Sequence, residues 1–169
     1  MANKWKYSVL CLGLVLGLYS ASGVAAANSD QATTPSVVMV CEHGTVKSLI
    51  AAKLFDQEAS QRGLALRAVS RGMHPDEAVP AKIAKALEND GFDISGFDPE
   101  KLSKPDVTGS LRVVAIGADL AATGDGAPSP ILRWDDVPPA SVDYEASKAS
   151  LLAHIQALLD ELEKQDNQE

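Results

Sequence analysis

Short runs of apolar, mostly β-branched residues alternate along this chain with longer stretches whose apolar residues recur every three or four positions. Val37-Val38-Met39-Val40 reads as a short buried strand. From about Ser48 to Gln61, Leu49, Ala52, Phe55 and Ala59 fall on one face of a helix, with Gly63 as its C-terminal stop. Leu64 to Ser70 alternates as a second strand, and Ser70 to Pro75 reads as a loop. A second helix is predicted over Asp76–Asp90, with Val79, Ile83, Ala86 and Leu87 inward, Pro80 in its first turn and Gly91 at its end. Asp98–Leu102 reads as a short helical turn. Leu111–Gly117 is apolar as a central parallel strand should be, and Ile131–Trp134 is a short fourth strand after a Gly-, Ala-, Asp- and Pro-rich loop over 118–130. A last helix is predicted from about Ser141 to Lys164, with Leu151, Leu152, Ile155, Leu158, Leu159 and Leu162 facing the core. Strands alternating with helices imply an α/β fold, a three-layer α/β/α sandwich around a four-stranded parallel sheet.

Residues 1–27 stand apart from this pattern. Lys4 and Lys6 precede an apolar run from Tyr7 to Tyr19, and Ala25-Ala26-Ala27 supplies small residues for cleavage. This is the layout of a secretory signal peptide, so the protein is expected to be exported, periplasmic or secreted. The run is short for a permanent membrane span, and no stable membrane insertion is expected after cleavage; an uncleaved N-terminal anchor is the alternative. Bulky Leu10 before Cys11 does not suit a lipoprotein cysteine. The rest divides into a flexible lead-in (28–36), one domain (37–164) and a polar tail (165–169).

Charge and cysteine content narrow the function classes. Removing residues 1–27 leaves 13 basic against 23 acidic residues, a net charge of −10. An acidic chain without a basic patch argues against nucleic acid and anionic membrane surfaces as partners, so any anion site must be local. With Cys11 gone, Cys41 is a lone thiol and no internal disulfide can form. A lone exported thiol calls for a reason: nucleophile, redox-active group or deep burial.

The stretch after the first strand supplies one. Cys41-Glu42-His43-Gly44-Thr45-Val46-Lys47-Ser48 places a cysteine at a strand end, a compact loop, and a basic residue and a serine where a helix begins. Loop amides and the first helical N–H groups form a cradle for an oxyanion such as phosphate, with Glu42, His43, Gly44, Thr45 and Val46 as its anion-binding loop. A cysteine beneath that ring of donors would be held as a thiolate nucleophile. The competing reading is a buried structural cysteine with Lys47 solvated on the first helical turn. Metal binding by Cys41, His43, His74 and His154 finds no recognised ligand spacing, and no metal or cofactor is expected.

As a pattern this is C-x5-K-S, and it resembles the C-x5-R-S phosphate loop of the low-molecular-weight protein tyrosine phosphatase and arsenate reductase family. Ser70-Arg71-Gly72-Met73-His74-Pro75 is similar to that family's Ser-x-Gly-x-x-Pro stretch. Gly91-Phe92-Asp93-Ile94-Ser95 is similar to its Gly-Ile-Asp-Ile-Ser segment. The resemblance covers nearly all of 37–164 and implies a phosphotyrosine protein phosphatase I-like fold. It also implies a chemistry in which cysteine attacks phosphorus, arginine clamps the equatorial oxygens and an aspartic acid of an Asp-Pro loop protonates the leaving group. Cys41 is then the nucleophile, with Ser48 donating to its thiolate.

The remaining parts depart from the family. Lys47 carries the arginine's charge without its planar fork, so binding should survive better than turnover. Gly44 stands where the family usually has a bracing asparagine. Glu42 is expected to point outward, and His43 is either a cation near the ligand or a solvent-facing residue. Trp134-Asp135-Asp136-Val137-Pro138-Pro139 occupies the place of the Asp-Pro loop, but alignment puts Pro138 at the acid position. Asp136 or Asp135 substitutes if the loop shifts; otherwise they form a solvated turn, and Asp119 and His154 are expected at the surface. The favoured reading is an exported phosphatase-like enzyme of weakened activity, acting on a phosphomonoester through Cys41, Lys47, Ser48 and Asp136. The alternatives are a catalytically degenerate module binding an oxyanion or a phosphoprotein, a single-cysteine arsenate-reductase-like protein, and an interaction module with a redox-sensitive Cys41.

Overall fold

The structure is a computed structural model, and it describes residues 36–120 and 131–166. The expected signal peptide, the lead-in up to residue 35, most of the 118–130 loop and the end of the polar tail lie outside the described residues.

Four parallel strands form one sheet in the order β2-β1-β3-β4: β1 (Ser36–Cys41), β2 (Arg67–Gly72), β3 (Arg112–Ala115) and β4 (Leu132–Arg133). Among the described residues four helices connect or follow them: α1 (Lys47–Gln61), α2 (Ala81–Asn89), α3 (Lys104–Gly109) and α4 (Tyr144–Asp166). β1 carries no outward polar face; Val37 to Cys41 are all buried, as a central strand covered on both sides requires. Its side chains alternate between layers. Val37, Met39 and Cys41 join a core with Phe55 of α1, Ile83 of α2 and Leu151 of α4, whereas Val38 and Val40 join a second core with Val107 of α3. The architecture is therefore the three-layer α/β/α sandwich expected. Among the described residues no helix is long and apolar enough to cross a membrane.

The strand order positions the site. β1 pairs with β2 on one side and β3 on the other, so the chain reverses its direction of sheet growth at β1. In open parallel sheets the crevice beyond the carboxyl ends of the strands at such a point is where ligands bind. Cys41 is the last residue of β1.

Several boundaries correct the sequence expectation. The second helix starts at Ala81 rather than Asp76, with Pro80 as its N-cap at ψ 134° instead of inside its first turn. Residues before a proline are biased away from helix, and residues 73–76 are engaged elsewhere, as the next subsection shows. Asp98–Leu102 is not a helical turn. Lys101 bridges to Gly72, the Gly72 N–H donates to the Glu100 carbonyl at 2.9 Å, and Leu102 N–H to Gly72 at 2.8 Å, so this segment covers the end of the β2 edge. The helix lies just beyond, at α3, where Ser103 and Asp106 form a reciprocal capping box. β2 begins at Arg67 rather than Leu64, β3 and β4 are shorter than read, and α4 runs from Tyr144 into the polar tail at Asp166.

Candidate functional site

The loop between β1 and α1 turns on Gly44, whose φ of +69° is open to glycine at no steric cost. A side chain could not enter here in any case. A Cβ on Gly44 would lie 2.8 Å from the backbone nitrogen of Gly72, and one on Gly72 would lie 2.9 Å from the nitrogen of Gly44. The glycine pair lets the loop sit directly against the end of β2.

From β2 onward the chain fastens the loop with main-chain bonds. Met73 N–H donates to the Cys41 carbonyl at 3.1 Å, His74 N–H to Glu42 at 2.8 Å and Asp76 N–H to His43 at 3.1 Å. The side chains repeat the pairing. His74 Nδ1 lies 2.8 Å from Glu42 Oε1, and His43 Nδ1 lies 3.2 Å from Asp76 Oδ1. Asp76 Oδ2 also accepts the Thr45 hydroxyl at 2.9 Å. Glu42 and His43 are thus exposed rim residues, each held by a partner from the segment after β2. Thr45 is fully buried with its hydroxyl satisfied, and Val46 packs against the main core.

Beneath the loop lies the thiol. Cys41 is 4% exposed, with Sγ 3.0 Å from Ser48 Oγ and accepting the Gly44 N–H at 3.3 Å. Ser70 Oγ stands 2.9 Å from both Ser48 Oγ and the Gly44 carbonyl, and its single hydrogen serves one at a time. When Ser70 donates to Ser48, Ser48 is left to donate to sulfur, and the Ser70–Ser48–Cys41 chain stabilises a thiolate. α1 begins immediately after, with Val46 as N-cap and no side chain capping its first amides. Those N–H groups remain available to an anion, as at other anion-binding helix termini. Lys47 is the first residue of α1 and half-buried. Cys41, Ser48 and the five loop residues therefore converge, with Lys47 beside them.

Asp136 sits in a different arrangement. Its carboxylate lies 2.9 and 3.1 Å from His154 Nε2, and that imidazole stacks on Trp134 with ring centroids 4.9 Å apart and planes 12° from parallel. Asp135 pairs with Arg133 at 3.2 Å. His154, expected at the surface, is therefore a half-buried partner of this loop. Among the described residues no group of three or more His, Cys, Asp or Glu side chains could hold a metal ion.

Sequence reading did not assign Ser70, Gly72 and Asp76 to the site. Ser70 and Gly72 were visible in the Ser-x-Gly stretch, but Asp76 looked like a helix start. Only the tertiary approach of residues 70–76 to the loop reveals its part.

The family model for low molecular weight phosphotyrosine protein phosphatase matches residues 36–122. No curated protein matches the chain in sequence. Solved structures do match in fold. A low molecular weight protein tyrosine phosphatase from T. tengcongensis is 22% identical with a TM-score of 0.65, over 75% of this chain and 99% of that one. A thioredoxin-dependent arsenate reductase from Corynebacterium glutamicum is 18% identical with a TM-score of 0.61, over 80% of this chain and 65% of that one. An arsenate reductase in the phosphate binding state is 16% identical with a TM-score of 0.59, over 75% of this chain and 98% of that one. At these identities the structures establish a shared fold.

Proposed function

The chain belongs to the low molecular weight phosphotyrosine protein phosphatase family, and on that premise we propose that it is an exported, weakly active phosphatase working through a cysteinyl-phosphate. The observation that carries this reading is the buried Cys41 thiol, held by Ser48 and the Gly44 amide at the uncapped N-terminus of α1. In the first step Cys41 sulfur attacks phosphorus, an S–P bond forms, and the P–O bond to the leaving alcohol breaks. The electron pair departs on that oxygen and needs a proton, which Asp136 supplies once it turns from His154, or Asp135 from Arg133. Water then attacks phosphorus and gives a proton to the carboxylate that served as the acid, S–P breaks, and orthophosphate leaves with the thiolate and the acid restored. Loop amides hold the phosphoryl oxygens, and Lys47 supplies positive charge without a bidentate fork, which is why turnover is expected to be slow. Export rests on Lys4, Lys6, the Tyr7–Tyr19 run and Ala25–Ala27.

The test is hydrolysis of an aryl phosphate by the reduced protein across pH 5 to 8, with Cys41→Ser and Lys47→Arg alongside. Turnover that Cys41→Ser abolishes and Lys47→Arg accelerates supports the enzyme; a Cys41→Ser variant as active as wild type rejects it. Mass measurement of the protein recovered outside the cytoplasm tests cleavage near Ala27.

One observation favours a second reading, a module that binds an oxyanion or a phosphoprotein without turnover. Both candidate acids are engaged by neighbours, Asp136 by His154 and Asp135 by Arg133. An inert wild type that phosphate nonetheless stabilises against heat would select it. Arsenate reduction would need an external thiol, since Cys11 and Cys41 are the chain's two cysteines.

A further inference from the structure

Lys47 is placed against electrostatic preference. As the first residue of α1 it brings a cation to the positive end of a helix dipole, where anions are favoured. Its neighbours in the loop do not compensate. Glu42 is paired with His74 and His43 with Asp76, whereas the Lys47 ammonium has no hydrogen-bond or ion-pair partner among the described residues. In a chain of net charge −8 this is an ammonium beside the loop that pairs with no carboxylate among the described residues.

The chain leaving β3 lies against it. Ile116 N–H still donates to the Val40 carbonyl at 2.7 Å, so residue 116 continues the pairing with β1, and Gly117 then turns away at φ +59°. A Cβ built on Gly117 would lie 2.6 Å from Lys47 Nζ and 3.9 Å from its Cε, its contacts within 4 Å among the described residues apart from its chain neighbours. The end of the Lys47 side chain thus takes the space over Gly117. This is the crevice between the carboxyl ends of β1 and β3, on the side of the sheet order where the crossover reverses.

We propose that Gly117 is a positioning residue for the oxyanion site: its bare Cα is the seat that holds the Lys47 ammonium in place to meet the bound anion. The inference rests on the oxyanion-binding reading above and adds a residue with no chemistry of its own. Any side chain at 117 takes the space that Nζ occupies, and the ammonium must shift from its place.

A double-mutant cycle on the full chain tests it, with inorganic phosphate as probe and calorimetric affinity as readout. Gly117→Ala is expected to weaken phosphate binding about tenfold, by the removal of one well-placed charge-assisted contact. In a Lys47→Met background the same change should cost no further affinity, although left-handed strain at 117 persists in both backgrounds. An equal loss in the two backgrounds, or none in either, overturns the proposal. Should Gly117→Ala fail to fold, the wild-type backbone amide signal of Gly117 is followed by NMR during a phosphate titration. It should move in wild type and stay still in Lys47→Met; movement in both, or in neither, overturns the proposal. Failure of wild type to bind phosphate would sink the oxyanion reading along with it, whereas wild-type binding without coupling sinks the seat alone.

Discussion

The loop from Cys41 to Ser48 and the loop from Trp134 to Pro139 both follow the carboxyl end of a strand and both precede a helix, yet they use their polar groups differently. In the first, partners come from far along the chain. Met73, His74 and Asp76 fasten its backbone, Ser70 and Ser48 bond beneath it, and among the described residues no side chain caps the helix amides and none pairs with Lys47. In the second, Trp134, Val137 and Ala140 are buried anchors, and the carboxylates are engaged by Arg133 and His154. An anion would meet donors already in place at the first loop, which is the condition for electrostatic stabilisation without reorganisation. Proton donation from the second requires a side chain to leave its present partner first.

Kinetics should expose that difference most strongly. If Asp136 is the acid, Asp136→Asn lowers kcat by about 10²–10⁴-fold, the usual worth of a general acid. Phosphate binding should be untouched, and Asp135→Asn should leave the rate near wild type. Steady-state assays with an aryl phosphate and calorimetry with phosphate decide it. An Asp136→Asn enzyme with wild-type kcat places the acid elsewhere and makes the second loop a structural element.

The first loop is broken through its backbone. Gly44→Ala combines a left-handed φ of +69° with a 2.8 Å approach to the Gly72 nitrogen, neither of which a flexible side chain can relieve. Stability in urea should fall by about 1–3 kcal/mol, the scale of such local strain. The stabilisation by phosphate should disappear with it. Asp76→Ala is expected to act less, by about 1 kcal/mol, because it removes hydrogen-bond partners rather than backbone room. It leaves the buried Thr45 hydroxyl unsatisfied and frees the His43 ring, so Thr45→Val combined with Asp76→Ala should recover part of the loss. A double variant no better than Asp76→Ala would show that Thr45 is not the reason for the aspartate.

How much of this was legible in the sequence follows the range of the interactions. Val37–Val40, the helix after it and most of the apolar face of α4 form where the pattern placed them, although Leu152, read as facing the core, is only half-buried. The loop from Cys41 to Ser48 was readable as a candidate oxyanion cradle because strand, glycine, basic residue and serine are contiguous. Asp76 and Gly117 were not readable, since one serves a loop 31 residues away and the other matters only for what its missing side chain admits. The helix placed at Asp76–Asp90 shows the same limit. Residues 76–80 have helix-compatible spacing, but docking on the Cys41 loop and the proline at 80 override it. α3 was missed for a different reason, since Ser103-Lys104-Pro105-Asp106 is a local capping signal that apolar periodicity does not register.

That capping box gives the smallest effect and the cleanest control. Burial resists the charge on Asp106, but hydrogen bonds from the Ser103 hydroxyl and backbone, with Arg71 at 3.0 Å, outweigh it and hold the carboxyl below the usual carboxylate range. A depressed carboxyl stabilises the fold above its unfolded value of about 3.9, and that stabilisation is lost as pH falls through the lower folded value. Asp106→Asn should therefore cost about 1 kcal/mol at neutral pH, the scale of a helix cap. The gap to wild type should close as pH drops below about 4. Arg71 keeps Glu100 at 2.9 Å, so β2 stays anchored under the Cys41 loop and the shift in Tm on adding phosphate should equal that of wild type. A reduced phosphate shift in Asp106→Asn would mean that the first loop leans on α3 as well as on residues 70–76, and its donors would then be less independent of the distant fold than their contacts imply.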